Sequence, residues 1–254
     1  DFAFTVTQEL SGRTLTITWN VENTGDDDMY FSVGGHPAFM IPEQYDIVFN
    51  KGLENHTETE LEYVLIDPET AGVDAAHPRK LKLQDGRIPY TRTLFDEDAL
   101  IFDNTQVERV GVEVDGKPYV TLTCKGFPSV GVWSNPKADA PFVCLEPWIG
   151  RCDNVGFDGE LKDKYGEQHL KAGESNEFTI KGHMKESAGN EYMNESIDGI
   201  AITVVATLLD KTGALQGLLS GISAAGASIV TITQSRPENG AAQVEVTVRT
   251  GTMQ

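Results

Sequence analysis

The chain has 254 residues, 39% apolar and 23% charged, a composition that suits one large packed unit or two smaller ones and excludes global disorder. Acidic residues number 39 against 20 basic ones, and the net charge of −19 argues against a nucleic-acid partner and against adsorption to an anionic membrane. No apolar run is long enough to span a bilayer and no signal peptide is recognisable, while Cys124, Cys144 and Cys152 lack any framework spacing; free thiols in a reducing cytoplasm are the expectation.

In chain order, residues 2–10 and 13–23 alternate apolar and polar side chains around a Ser11–Gly12 turn, which is a strand pattern. Asn23–Gly25 and the acids Asp26–Asp28 form the next turn, and Met29–Val33 leads into SVGGHPAFMIP at 32–42. The rhythm continues through 45–50, 61–67, 98–102, 107–114, 118–124 and 129–133, with Asp115–Gly116 as a hairpin turn. Next come PFVCLEPWIG at 141–150, a polar loop at 151–166 and a last strand pair ending at Met184. Many strands with polar turns and almost no helical period predict a large antiparallel β-sandwich over 1–184. Residues 185–198 are Gly/Ser/Asn/Glu-rich without periodicity and read as a linker. Residues 199–254 form a second unit: an apolar strand at 200–209, a turn at 210–213, a helix over 214–225 with Leu215, Leu218, Leu219 and Ile222 on one face, and two further strands. The order is βαββ.

Two stretches carry the chemistry. His36 sits between Gly34–Gly35 and Pro37, which biases its backbone toward an extended form and presents the ring. Glu146 precedes Pro147 within an apolar run, where an unpaired carboxylate is costly. The expectation is that the two meet at one concave pocket as an acid and a base, with Asp98 on the rim and an aromatic wall. Alternatives stand beside it: His36 bonding only its own turn, or Glu146 as a structural acid paired with Arg151. Trp133 and Trp148 suit the core as well as a sugar platform, and Cys144 reads most simply as core. His56, His77, His169 and His183 read as solvated. No CxxC, HExxH or paired-histidine spacing occurs, so no metal site is expected.

GGHPAF at 34–39, DALIF at 98–102, APFVCLEPWIGRCD at 140–153 and the closing GELKDKYGEQHLKAGESNEFTI resemble the aldose 1-epimerase (galactose mutarotase) family in its LacX-like branch, over about residues 1–184. The resemblance implies a β-sandwich that binds a hexose or related aldose and interconverts its anomers without a cofactor, with His36 as the acid, Glu146 as the base, and Asp98, Phe39 and Trp148 against the sugar. If that alignment slips by two residues, Asp98 reads as a loop acid instead, since Asp96 and Glu97 are adjacent. The family begins with strands this chain lacks, a region that supplies an arginine and a further histidine, so the first unit reads as N-terminally truncated. A sugar-binding module without turnover is the alternative.

SIVTITQSRPENGAAQVEVTV at 228–248 is similar to ACT domains of the PheB-like kind. That implies the front of a ferredoxin-like unit, truncated at its C-terminus, with Asp210 and Gly213 near an amino-acid ligand and dimerisation through the unit. Gly213 has a plainer reading as a helix-start glycine. On this view the chain acts as a sensing or interaction protein.

Overall fold

A computed structural model of the chain describes residues 1–41, 44–54, 59–91, 93–135, 142–184, 201–209, 214–224, 228–234 and 241–249. The chain divides into two units, Asp1–Gly189 and Asn190–Gln254. Among the described residues no helix is long and apolar enough to cross a membrane.

In the first unit the described strands are β1 (Phe2–Ser11), β2 (Thr14–Asn23), β3 (Met29–Phe31), β4 (Val33–Gly34), β5 (Ala38–Met40), β6 (Asp46–Phe49), β7 (Glu60–Tyr63), β8 (Arg79–Lys82), β9 (Arg87–Pro89), β10 (Leu100–Phe102), β11 (Arg109–Val114), β12 (Lys117–Thr123), β13 (Ser129–Trp133), β14 (Phe142–Ile149), β15 (Gln168–Leu170) and β16 (Ser175–Met184). The described helical content there is one turn of 3-10 helix, Leu161–Asp163. A seven-stranded sheet runs β1-β2-β16-β12-β11-β6-β9, and a five-stranded sheet runs β10-β13-β14-β4 with β5 also on β14. Pairs β3–β15 and β7–β8 form two small ribbons, and all of these pairings are antiparallel. The unit is therefore mainly β and antiparallel, as the strand rhythm predicts.

Local chemistry accounts for the register. Asp115 (φ 51°) and Gly116 (φ 71°) both adopt left-handed backbone, and Val114 pairs directly with Lys117. This is the two-residue turn whose twist matches the flanking strands. The strands of the five-stranded sheet are two-sided. On β14, Val143, Leu145 and Ile149 join the main core with Val130 and Val132 of β13 and Leu100 and Phe102 of β10. The alternate residues Cys144, Glu146 and Trp148 point to the opposite face, because side chains alternate along a strand. There Trp133 and Trp148 pack on a smaller cluster of Val64, Val73, Ala99 and Ile101. Burial on both faces is why β14 reads as a continuous apolar run with one acid in it.

The second unit has β17 (Ala201–Leu209), α1 (Ala214–Ala224), β18 (Ser228–Gln234) and β19 (Ala241–Arg249). β19 lies between β17 and β18 and is antiparallel to both. Leu215, Leu218, Leu219 and Ile222 of α1 cover the buried Val244 and Val246. These are the four positions picked out by the helical spacing, and burying that stripe is what holds a short helix in place. Asp210 and Gly213 lie outside the described residues.

Candidate active site

The site is built where β4 and β5, the two halves of one interrupted strand, pair with β14. Trp148 faces Gly34, and Cys144 faces Ala38. Between them the ladder is held by Gly35 N–H donating to the Pro147 carbonyl (3.0 Å) and Leu145 N–H donating to the Pro37 carbonyl (3.2 Å). The intervening His36 is thus set across from Glu146. Its Nδ1 lies 3.5 Å from Glu146 Oε1, with the His36 side chain 62% exposed and the glutamate side chain 6% exposed. That distance is long for a hydrogen bond, and catalytic pairs are often this loose before substrate tightens them. The His36 ring meets Trp133 edge-on, centroids 6.1 Å apart. Trp133 sits opposite Cys144 on β13 and so shares the face of the pair.

The Glu146 carboxyl is pushed up to about 7, chiefly by burial and further by the nearby charge of Asp98, with a hydrogen bond from the Trp148 side chain partly opposing both. Arg151 does not partner it. Its guanidinium Nε and Nη2 donate to Asp103 at 2.7–3.1 Å, its Nη1 donates to the Cys152 carbonyl and to Asn154, and it lies 4.3 Å over the Tyr165 ring. The reading of Glu146 as a structural acid paired with Arg151 therefore fails.

Asp98 is exposed and has φ 88°, a left-handed backbone that a non-glycine residue adopts only when its surroundings impose it. Its Oδ1 accepts from the Ala99 N–H at 2.7 Å. Neighbouring Glu97 is occupied by a two-pronged pair with Arg79 (2.6 and 2.9 Å), and Asp98 is the acid whose charge reaches Glu146. Phe39 is a correction. It pairs with Val143 and packs against the main core, on the side of the sheet away from Glu146. Trp133 supplies the aromatic neighbour expected of it. Of the other histidines, His77 pairs with Asp74, His169 with Asp28, and His183 bonds Thr14, while His56 lies outside the described residues.

Trp148 is fitted over a glycine. A Cβ on Gly131 would lie 2.5 Å from Trp148 Cη2. Gly131→Ala is expected to push the indole off its seat, loosen its hold on Glu146 and destabilise the unit by about 1–3 kcal/mol, the usual cost of overpacking. Urea denaturation followed by tryptophan fluorescence measures this, and an unchanged midpoint would show that the ring moves freely. Two cavities of this unit, about 260 Å³ beside Lys51, Arg109 and Glu113 and about 210 Å³ beside Tyr63, Asp103 and Arg151, include neither His36 nor Glu146. His36 opens to solvent while Glu146 is buried beneath it, and their close approach marks the site.

The two facing antiparallel sheets, with this pair on the outer face of the smaller one, define a galactose mutarotase-like fold. A galactose mutarotase related enzyme from Lactobacillus acidophilus has 28% sequence identity and a TM-score of 0.63, over 75% of this chain and 63% of that chain. A galactose mutarotase-like protein from Lactobacillus casei superposes with a TM-score of 0.61 at 22% identity, over 72% of this chain and 63% of its own. The chain is homologous to the plasmid-borne protein LacX of Lactococcus lactis subsp. lactis, 27% identical over 177 residues, which is 64% of this chain and 55% of LacX. The chain thus spans about half the length of the curated relatives it matches. No family model matches it.

Proposed function

We propose that the first unit is an aldose 1-epimerase-like isomerase that interconverts the anomers of a hexose or related aldose. The observation that carries this reading is the 3.5 Å approach of His36 Nδ1 to Glu146 Oε1. Anomerisation moves one proton off O1 and one onto O5, two oxygens on the same carbon, so acid and base must converge on one ring. The Glu146 carboxylate takes the O1 proton; the C1–O5 bond breaks as C1=O1 forms, and O5 takes a proton from the His36 imidazolium. The open-chain aldehyde rotates about C1–C2 and offers its other face. The reverse transfers then close the ring and restore both groups. The raised Glu146 carboxyl suits a base working near neutral pH. Asp98 and Trp148 hold the sugar, and Trp133 replaces Phe39 as the apolar wall.

Polarimetry of freshly dissolved α-D-galactose or α-D-glucose with the full chain tests the reading. A relaxation faster than the spontaneous one is expected, and His36→Asn should remove most of the acceleration. Sugar binding without acceleration would instead establish a binding module. In the second unit, β19 between two strands it opposes is the order of a split βαβ unit, which supports the ACT-like reading of an amino-acid ligand and dimerisation. Binding of a free amino acid to the full chain would test it.

A further inference from the structure

We propose that His36, Cys144 and Glu146 together form a three-ligand site for a zinc-class divalent cation. Their ligating atoms all lie within 4.8 Å of one another, with His36 Nδ1 and Glu146 Oε1 at 3.5 Å. Tetrahedral zinc with bonds of ordinary length holds such atoms about 3.3–3.6 Å apart; His36 and Glu146 already stand at that spacing, and the remaining separations, none above 4.8 Å, must shorten where they exceed it for the set to close on one ion. Cys144 and Glu146 are buried neighbours two residues apart on one strand, and so present sulfur and oxygen on the same face of the sheet. His36 adds nitrogen from the solvent side, where a fourth, open position remains for water. One nitrogen, one sulfur and one carboxylate oxygen suit zinc rather than magnesium or calcium, which take oxygen alone.

The surroundings fit a cation. Among the described residues no lysine or arginine pairs with Glu146, and Arg151 is held by Asp103. Asp98 adds a second negative charge close by, and the Trp148 side chain hydrogen-bonds the carboxylate, as outer-shell partners of metal ligands do. Short-spacing patterns in the sequence miss this site because His36 comes from a different strand. A cation here engages the same His36 and Glu146 atoms that the epimerase reading uses for proton transfer, so it would inhibit turnover. The binding claim stands apart from that reading, because its test reads a spectrum and not a rate.

Cobalt(II) titrated into the full chain, after treatment with a chelator, is the test. One equivalent should bind per chain and give a thiolate-to-cobalt charge-transfer band with tetrahedral d–d bands, and one equivalent of zinc should erase both. Cys144→Ser should abolish the charge-transfer band, while Cys152→Ser, which removes the exposed thiol, should leave it intact. His36→Asn, at an exposed position, should weaken cobalt binding about a hundredfold or more, the upper end of what loss of even an outer-shell partner costs. This variant keeps the test decisive should Cys144→Ser fail to fold. A spectrum without a thiolate band, a band that survives Cys144→Ser or is lost in Cys152→Ser, or unchanged affinity in His36→Asn would overturn the proposal.

Discussion

Replacing Glu146 with Gln is expected to slow enzyme-dependent mutarotation by about two to four orders of magnitude, the usual share of a general base, while sugar binding is largely kept because shape is preserved. The same change should stabilise the fold at alkaline pH. A carboxyl raised from 4.5 to about 7 binds its proton more tightly folded than unfolded. Its contribution to stability is fully present below pH 4.5 and is lost as pH rises through 7. Glutamine is neutral throughout, so Glu146→Gln should exceed wild type by about 3 kcal/mol at pH 8 and lose that advantage below pH 4.5. Polarimetry and urea denaturation at the two pH values measure both effects. Wild-type turnover in the variant, or equal stability at pH 8, would remove Glu146 from the role.

The second large effect concerns the scaffold beside the site. Arg151 and Asp103 form a buried pair, side chains 1% and 11% exposed, and Ser129 donates to the same carboxylate at 2.7 Å. Arg151→Met leaves Asp103 charged and without its cation, which should cost about 3–5 kcal/mol. Asp103→Leu combined with Arg151→Met removes both charges, and much of that loss should be recovered, since a buried pair contributes little over apolar side chains of similar size. All the tryptophans, Trp19, Trp133 and Trp148, lie in the first unit, so their fluorescence follows its unfolding alone. A single variant no less stable than wild type would show that Asp103 reaches water once Arg151 is gone.

What could be read from the residues was what depends on local periodicity and turn chemistry. The two-fold alternation along 2–10 and 13–23 gave β1 and β2, Asp115–Gly116 gave its hairpin, and the apolar stripe of α1 was placed residue by residue. The short strands β8 and β9 were not visible, because their charged sequences carry no alternation and exist only through their partners. At the site, His36 and Glu146 stood out because each is a polar residue held before a proline. Trp148 shares the parity of Glu146 and falls on its face, whereas Phe39, three residues after His36, falls on the other. Trp133 and Cys144 were legible only in part: parity places Cys144 with Glu146, but the pairing of Trp133 with Cys144 is set by register between strands. Arg151, near Glu146 in sequence, turns instead to Asp103, 48 residues away, which no local pattern encodes.

In the proposed mechanism Glu146, tuned by burial and by Asp98, moves the proton of a sugar held beside His36. The most direct measurement is the pH dependence of the enzyme-dependent mutarotation rate in chelator-treated protein, wild type against Asp98→Asn. The acid limb of the rate profile should rise with pH through an inflection at about 7, as the carboxyl ionises. In Asp98→Asn, loss of the neighbouring negative charge should move that inflection to lower pH. A rate no faster than the spontaneous one, or an inflection that Asp98→Asn leaves in place, would contradict it.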